Sequence, residues 1–285
     1  MSVELPEDQK QRLVDTVREA YMEVFPTATI EDRLDILEPG SYVAVTCSPT
    51  KGVDETLQLS ARLAKKGFKV VPHIAAKMVR NRSHLREIMA RLTDLPIVSI
   101  FVPGGDAPRP AGDYTKAVEL LRDIAEFDHR LTEIGIASHP EGHPAVSDDI
   151  LLDEMLKKQE VANYAVTQMC FDAGLIGRWI GDLRARGFTL PIWLGLPSVS
   201  DRKTLMTTSL RIGVGNSLRY LKNHGRIAAK LMSSKQYSPD QLLIDLAPFI
   251  ADDGLNIEGH HIYCFNQVKK AEQWRVGFLD RLTGT

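Results

Sequence analysis

Glu23, Thr46, His73, Asp106, His139, His143 and Gln168 are polar side chains set in, or just beyond, short apolar runs of the chain. Carboxylates and imidazoles exchange protons with a bound molecule when held against it, and hydroxyl and amide groups fix the orientation of a polar ligand. The pattern points to a small-molecule site with acid–base chemistry. Glu23 stands in Met-Glu-Val-Phe-Pro, Thr46 in Val-Thr-Cys-Ser-Pro, His73 in Val-Pro-His-Ile and Asp106 in Val-Pro-Gly-Gly-Asp. His139 and His143 share His-Pro-Glu-Gly-His-Pro, and Gln168 follows Ala-Val-Thr. Each has a plainer reading. Glu23 could be a carboxylate paired with a basic residue, His73 a loop histidine bonded to backbone, and Pro-Gly-Gly-Asp an ordinary turn. No metal site is expected, because the proline-rich histidine loop lacks the helical i, i+4 spacing of paired ligands. Gly213-Val214-Gly215 follows no strand and lacks a third glycine, so it is not read as a dinucleotide fingerprint.

Residues this far apart need a scaffold that gathers them. Short β-branched or apolar runs at 20–25, 42–47, 68–74, 97–102, 133–138, 164–171, 190–196 and 261–265 alternate with amphipathic stretches at 54–66, 114–127, 148–161 and 175–186. Gly67 and Gly187 follow two of these stretches as expected left-handed helix caps. Eight strand–helix repeats predict an α/β fold, a closed (β/α)8 TIM barrel, whose polar residues at the strand ends form one site. An open doubly wound sheet is the alternative. An extra helix is expected at 6–18, and 202–252 reads as a helical insertion before the last strand. No Ser/Gly-rich linker interrupts the chain, so one catalytic domain is expected over 1–285.

The balance of 25% charged and 44% apolar residues, with net charge −2, is that of an ordinary soluble protein and argues against nucleic-acid or membrane partners. Three well-separated cysteines suggest neither a disulfide framework nor a zinc site, and a cytoplasmic location is expected. The opening residues contain no signal-peptide pattern.

Taken in order and spacing, the motifs above, with Ala-Val-Thr-Gln-Met-Cys-Phe-Asp at 165–172 and His-Ile-Tyr-Cys-Phe-Asn at 261–266, resemble the methylenetetrahydrofolate reductase family. The resemblance runs from about residue 20 to 275. It implies a barrel that binds FAD, takes hydride from NADH or NADPH and reduces 5,10-methylenetetrahydrofolate to 5-methyltetrahydrofolate. It also implies self-association. On this resemblance Glu23 is the general acid that opens the folate imidazolidine ring. Asp106 is the carboxylate between pterin and flavin, and Gln168 is the amide reading the pterin edge. Thr46, His73, Gly105, Asp106, Ala137, His139, His143 and Lys157 fall at cofactor-contacting positions, with Lys158 the alternative to Lys157.

Three departures stand out. Gly104 replaces a common arginine that contacts the cofactor, His139 replaces a common tyrosine, and no aromatic residue occupies 202–210, where Leu205 and Met206 are the nearest large apolar residues. The first suggests weakened FAD binding. Two alternatives follow, a flavin-independent reductase of the same substrate and a non-catalytic folate- or flavin-binding homologue.

Overall fold

The computed structural model describes residues 5–143, 146–201, 204, 205, 207 and 236–284. Helix α1 (Glu7–Arg18) starts at Pro6, carries Glu7 and Asp8 in its first turn, and buries Leu13, Val14, Thr16 and Val17. The expected extra helix is therefore present. Strands β1 (Tyr21–Val24), β2 (Tyr42–Val45), β3 (Lys69–Pro72), β4 (Ser99–Val102), β5 (Glu133–Ser138), β6 (Tyr164–Thr167) and β7 (Ile192–Pro197) then alternate with helices. These helices are α2 (Ile30–Leu34), α3 (Gly52–Lys65), α4 (Arg82–Thr93), α5 (Ala117–Ala125), α6 (Asp148–Lys158) and α7 (Ala173–Ala185). After β7 comes a short antiparallel ladder of β8 (Ser200–Asp201) with β9 (Gln236–Tyr237). Helix α8 (Asp240–Ile250), strand β10 (Ile257–Tyr263) and helix α9 (Val268–Thr283) follow. Most of the predicted insertion, with Met206 and the Gly213-Val214-Gly215 segment, lies outside the described residues. Gly67 and Gly187 both have φ of +89°, as left-handed caps require.

Eight parallel strands form one sheet in the order β3-β2-β1-β10-β7-β6-β5-β4. Its two ends meet: His73 bridges Phe101 in parallel, and the Ile74 N–H donates to Phe101 O at 2.8 Å. The sheet is a cylinder with helices outside, the predicted TIM-barrel fold. Because all eight strands run the same way, their C-terminal ends share one mouth.

The lower interior is filled by Tyr21, Val71, Phe101, Tyr164, Val166 and Trp193. Large rings fit because glycines face them on neighbouring strands. A Cβ on Gly135 would lie 2.4 Å from the Tyr164 ring, and one on Gly259 2.4 Å from Trp193, both far inside contact distance. Between Tyr21, Val71, Phe101, Tyr164, Val166 and His261 no room is left for a water molecule.

The last barrel strand begins at Ile257, four residues before the predicted 261. Glu258, Gly259 and His260 interrupt the apolar pattern there: Glu258 is exposed, and the other two have local reasons. Gly259 admits Trp193, while His260 faces outward, its Nε2 3.3 Å from Thr16 Oγ1 of α1.

Candidate active site

Strands β1 and β10 are adjacent, with Tyr21 opposite His261 and Glu23 opposite Tyr263. Residues two apart on a strand share a face, so Glu23 and His261 enter the barrel as diagonal neighbours. Glu23 Oε2 lies 2.9 Å from His261 Nε2, with both residues buried. The Cys264 thiol contacts Glu23 O at 2.9 Å and ties down the backbone behind the carboxyl. Asn266 secures the adjoining loop: its Oδ1 accepts from Phe25 N–H at 2.7 Å, and its Nδ2 donates to Phe25 O at 3.0 Å. To do this, Phe265 and Asn266 take consecutive left-handed conformations, φ 51° and 58°, which non-glycine residues seldom adopt.

His73, past the end of β3, is also buried, and its Nε2 has no hydrogen-bond partner among the described residues. The plainer expectation of a ring bonded to backbone does not hold at that nitrogen. Burial, opposed by Glu23 and reinforced by His261, pushes its pKa down to about 4, so the ring is neutral at pH 7. Ligand atoms of Glu23, His73 and His261 lie within 4.8 Å of one another. The direct 2.9 Å contact inside this trio is a hydrogen bond, which requires a proton. Thr46 Oγ1, at the neighbouring strand end, is likewise buried and has no partner among the described residues.

Across the mouth the arrangement changes. Gly105 has φ +91°, and Asp106 beside it is exposed. Gln168 follows β6 directly, its N–H bonded to Ser138 O at 2.7 Å and its Oε1 accepting from Met169 N–H at 2.9 Å. Glu23, Asp106 and Gln168 thus belong to the same rim, although they rise from separate strands. Ala137 and His139, at and after the end of β5, line a cavity of about 380 Å³ with Leu151, Met155 and Lys158 of α6 and Trp179 of α7. His139 is pushed down to about 4 by burial and then by His143 and Lys158, and its ring meets that of His143 edge-on at 5.4 Å.

The two adjacent lysines of α6 are placed differently. Lys157 is exposed, pairs with Asp153 one turn back and does not line the cavity. Lys158 lines the cavity instead, its Nζ 3.5 Å from Ala137 O, and burial lowers its pKa to about 8 despite Glu154. Consecutive helical residues point about 100° apart, so only one of the two lysines can face inward.

The sequence reading also passed over His261, Tyr263, Ser198 and Ser200. The Tyr263 hydroxyl donates to Thr167 O at 3.0 Å, and the buried Ser198 and Ser200 hydroxyls have no partners among the described residues. A polar residue within an apolar strand was the available signal for His261, and Leu-Pro-Ser-Val-Ser past β7 was the signal for the serines. Leu205, from the region lacking the expected aromatic, is buried with Met169, Phe171 and Tyr237, against Tyr263 and Phe265 at the mouth.

The profile of the methylenetetrahydrofolate reductase family matches residues 25–272. A Caenorhabditis elegans protein named "Probable methylenetetrahydrofolate reductase (NADPH)" is 25% identical over 226 residues, 71% of this chain and 34% of that protein. Methylenetetrahydrofolate reductase 2 of Saccharomyces cerevisiae is 29% identical over 109 residues, 34% of this chain and 18% of that protein. The matches thus span about a third of one of these curated relatives and less than a fifth of the other. Among solved structures, a Clostridium thermocellum protein that binds two copies of 5-methyl-5,6,7,8-tetrahydrofolic acid superposes with a TM-score of 0.62 at 13% identity, covering 97% of this chain and 100% of that one. That likeness shows the barrel fold.

Proposed function

The chain belongs to the methylenetetrahydrofolate reductase family, and from that premise we propose that it reduces 5,10-methylenetetrahydrofolate to 5-methyltetrahydrofolate with NADH or NADPH, through bound FAD. The observation that carries the reading is the buried Glu23 carboxyl at the barrel mouth, hydrogen-bonded to His261. Glu23 protonates a nitrogen of the imidazolidine ring; the C–N bond breaks towards that nitrogen and leaves a cationic iminium carbon. Asp106 supplies negative charge at the same rim. Its exposure means that its field acts fully once a ligand covers it and excludes water. Gln168 offers an amide edge to the pterin.

Two observations support bound flavin: Ala137, His139 and Lys158 border open space beside β5, and Thr46 Oγ1 and His73 Nε2 are buried polar atoms without a partner among the described residues. When bound, FAD supplies hydride transfer between nicotinamide and folate. Lys158 would place a positive charge at its edge, and His139, held neutral, would pack beside it.

A second reading, without flavin, rests on Gly104. A Cβ built there meets nothing within 4 Å, so the position has space for a side chain but presents none to a cofactor phosphate. Hydride would then pass directly from nicotinamide to the folate carbon. The visible spectrum of the isolated protein, followed by assay with NADH or NADPH and 5,10-methylenetetrahydrofolate, tests both readings. Yellow protein bleached by nicotinamide and recoloured by the folate supports the first. Colourless, active protein supports the second, and protein that binds folate without turnover overturns both.

A further inference from the structure

We infer that His261 is a positioning residue that shares one proton with Glu23, so that the acid at the barrel mouth is a carboxyl–imidazole pair. This rests on the folate-reductase reading. At 2.9 Å, Oε2 and Nε2 cannot face each other as two lone pairs, so a hydrogen lies between them whichever atom holds it. The pair stores the proton that the ring-opening step consumes.

Its geometry is held from every side. The His261 ring stacks on Tyr21 at 6.2 Å and meets Tyr263 at 5.2 Å, His73 at 6.0 Å and Phe101 at 6.4 Å. Glu23 is secured through its backbone by Cys264 and the β1–β10 register. The ring cannot swing away without displacing aromatic neighbours in a close-packed interior.

The titratable groups facing the pair are Tyr21 of β1, His73 beyond β3, Tyr164 of β6, Tyr263 of β10 and Cys264 just after it, whose thiol burial pushes up to about 12. Burial raises all three tyrosines, which stay protonated at neutral pH, and lowers His73, which stays neutral there. In the reaction the Glu23 O–H bond breaks as the ring nitrogen gains its N–H. The carboxylate then accepts from the His261 N–H, and solvent restores the proton before the next turnover. Hydride comes from the nicotinamide, so charge and electrons balance.

The test is the pH dependence of kcat and KM for reduction of 5,10-methylenetetrahydrofolate by wild type, His261→Leu and His261→Gln, with folding checked by circular dichroism. Leucine should lower kcat about 100-fold with little change in KM. Both variants should move the high-pH decline of kcat downward by about one unit or more, because the imidazole no longer stores the proton. Glutamine, which keeps a donor near Glu23, should recover part of the low-pH rate. A loss equal at all pH values, with the decline unmoved, marks a purely structural residue and overturns the proposal, as does a wild-type profile in either variant. If the leucine variant fails to fold, the glutamine profile decides alone. An inactive wild type overturns the functional reading and this proposal with it.

Discussion

Two regions of the barrel are built on opposite plans. Around β1 and β10, polar groups are tied to one another: Glu23 to His261, Tyr263 to Thr167, and Asn266 to both backbone groups of Phe25. Around β5 and α6, His139 and Lys158 instead border about 380 Å³ of open space. A proton-transferring group works best when its geometry is set before the ligand arrives, because no reorganisation is then needed during reaction. A group that holds a large ligand needs room. On the function proposed above, chemistry belongs to the first region and ligand retention to the second.

Substituting Glu23→Gln gives the largest test of this contrast. It should lower folate reduction by 100- to 10,000-fold while leaving affinity for the folate nearly unchanged. Retention of more than a tenth of the wild-type kcat would break the assignment. Next, Lys158→Met should weaken binding of a flavin titrated by fluorescence about 10- to 100-fold, since a partly buried cation is lost from the cavity wall. Lys157→Met should change it less than about twofold, because an exposed ion pair contributes little. Equal effects would mean that the cavity is not the binding surface.

The smallest effect concerns stability and separates two adjacent histidines on opposite faces of β10. His260 is buried against α1, and burial pushes its pKa down to about 3. A histidine held neutral in the fold favours the unfolded chain once protons are abundant. Its contribution is therefore complete above about pH 6.5 and declines as pH falls from there towards about 3. Urea unfolding at pH 7 and pH 5 should show a loss on the order of 1–2 kcal/mol attributable to this residue. His260→Leu should flatten that slope, and a slope unaltered by the substitution would refute the assignment. His73 and His139, pushed down to about 4, add to the wild-type slope in the same direction.

Much of this was legible before any coordinates. Strands buried on both faces read as unbroken apolar runs, and the polar residues capping those runs necessarily reach one rim once the strands are parallel. The start of β10 was hidden because Gly259 exists to admit Trp193, a neighbour that no linear pattern reveals. His261 was passed over because its partner lies 238 positions away. Lys158, by contrast, could have been found. It stands three residues after Met155 and seven after Leu151, both on the cavity wall, and that spacing defines one face of α6.

The aromatic plug beneath the mouth has a further meaning for traffic. A cylinder stoppered by Tyr21, Phe101 and Tyr164 has no rear exit, so whatever arrives at Glu23 must depart by the route it came. Two reactants that meet there share a single doorway: they stand side by side in it, or they take turns.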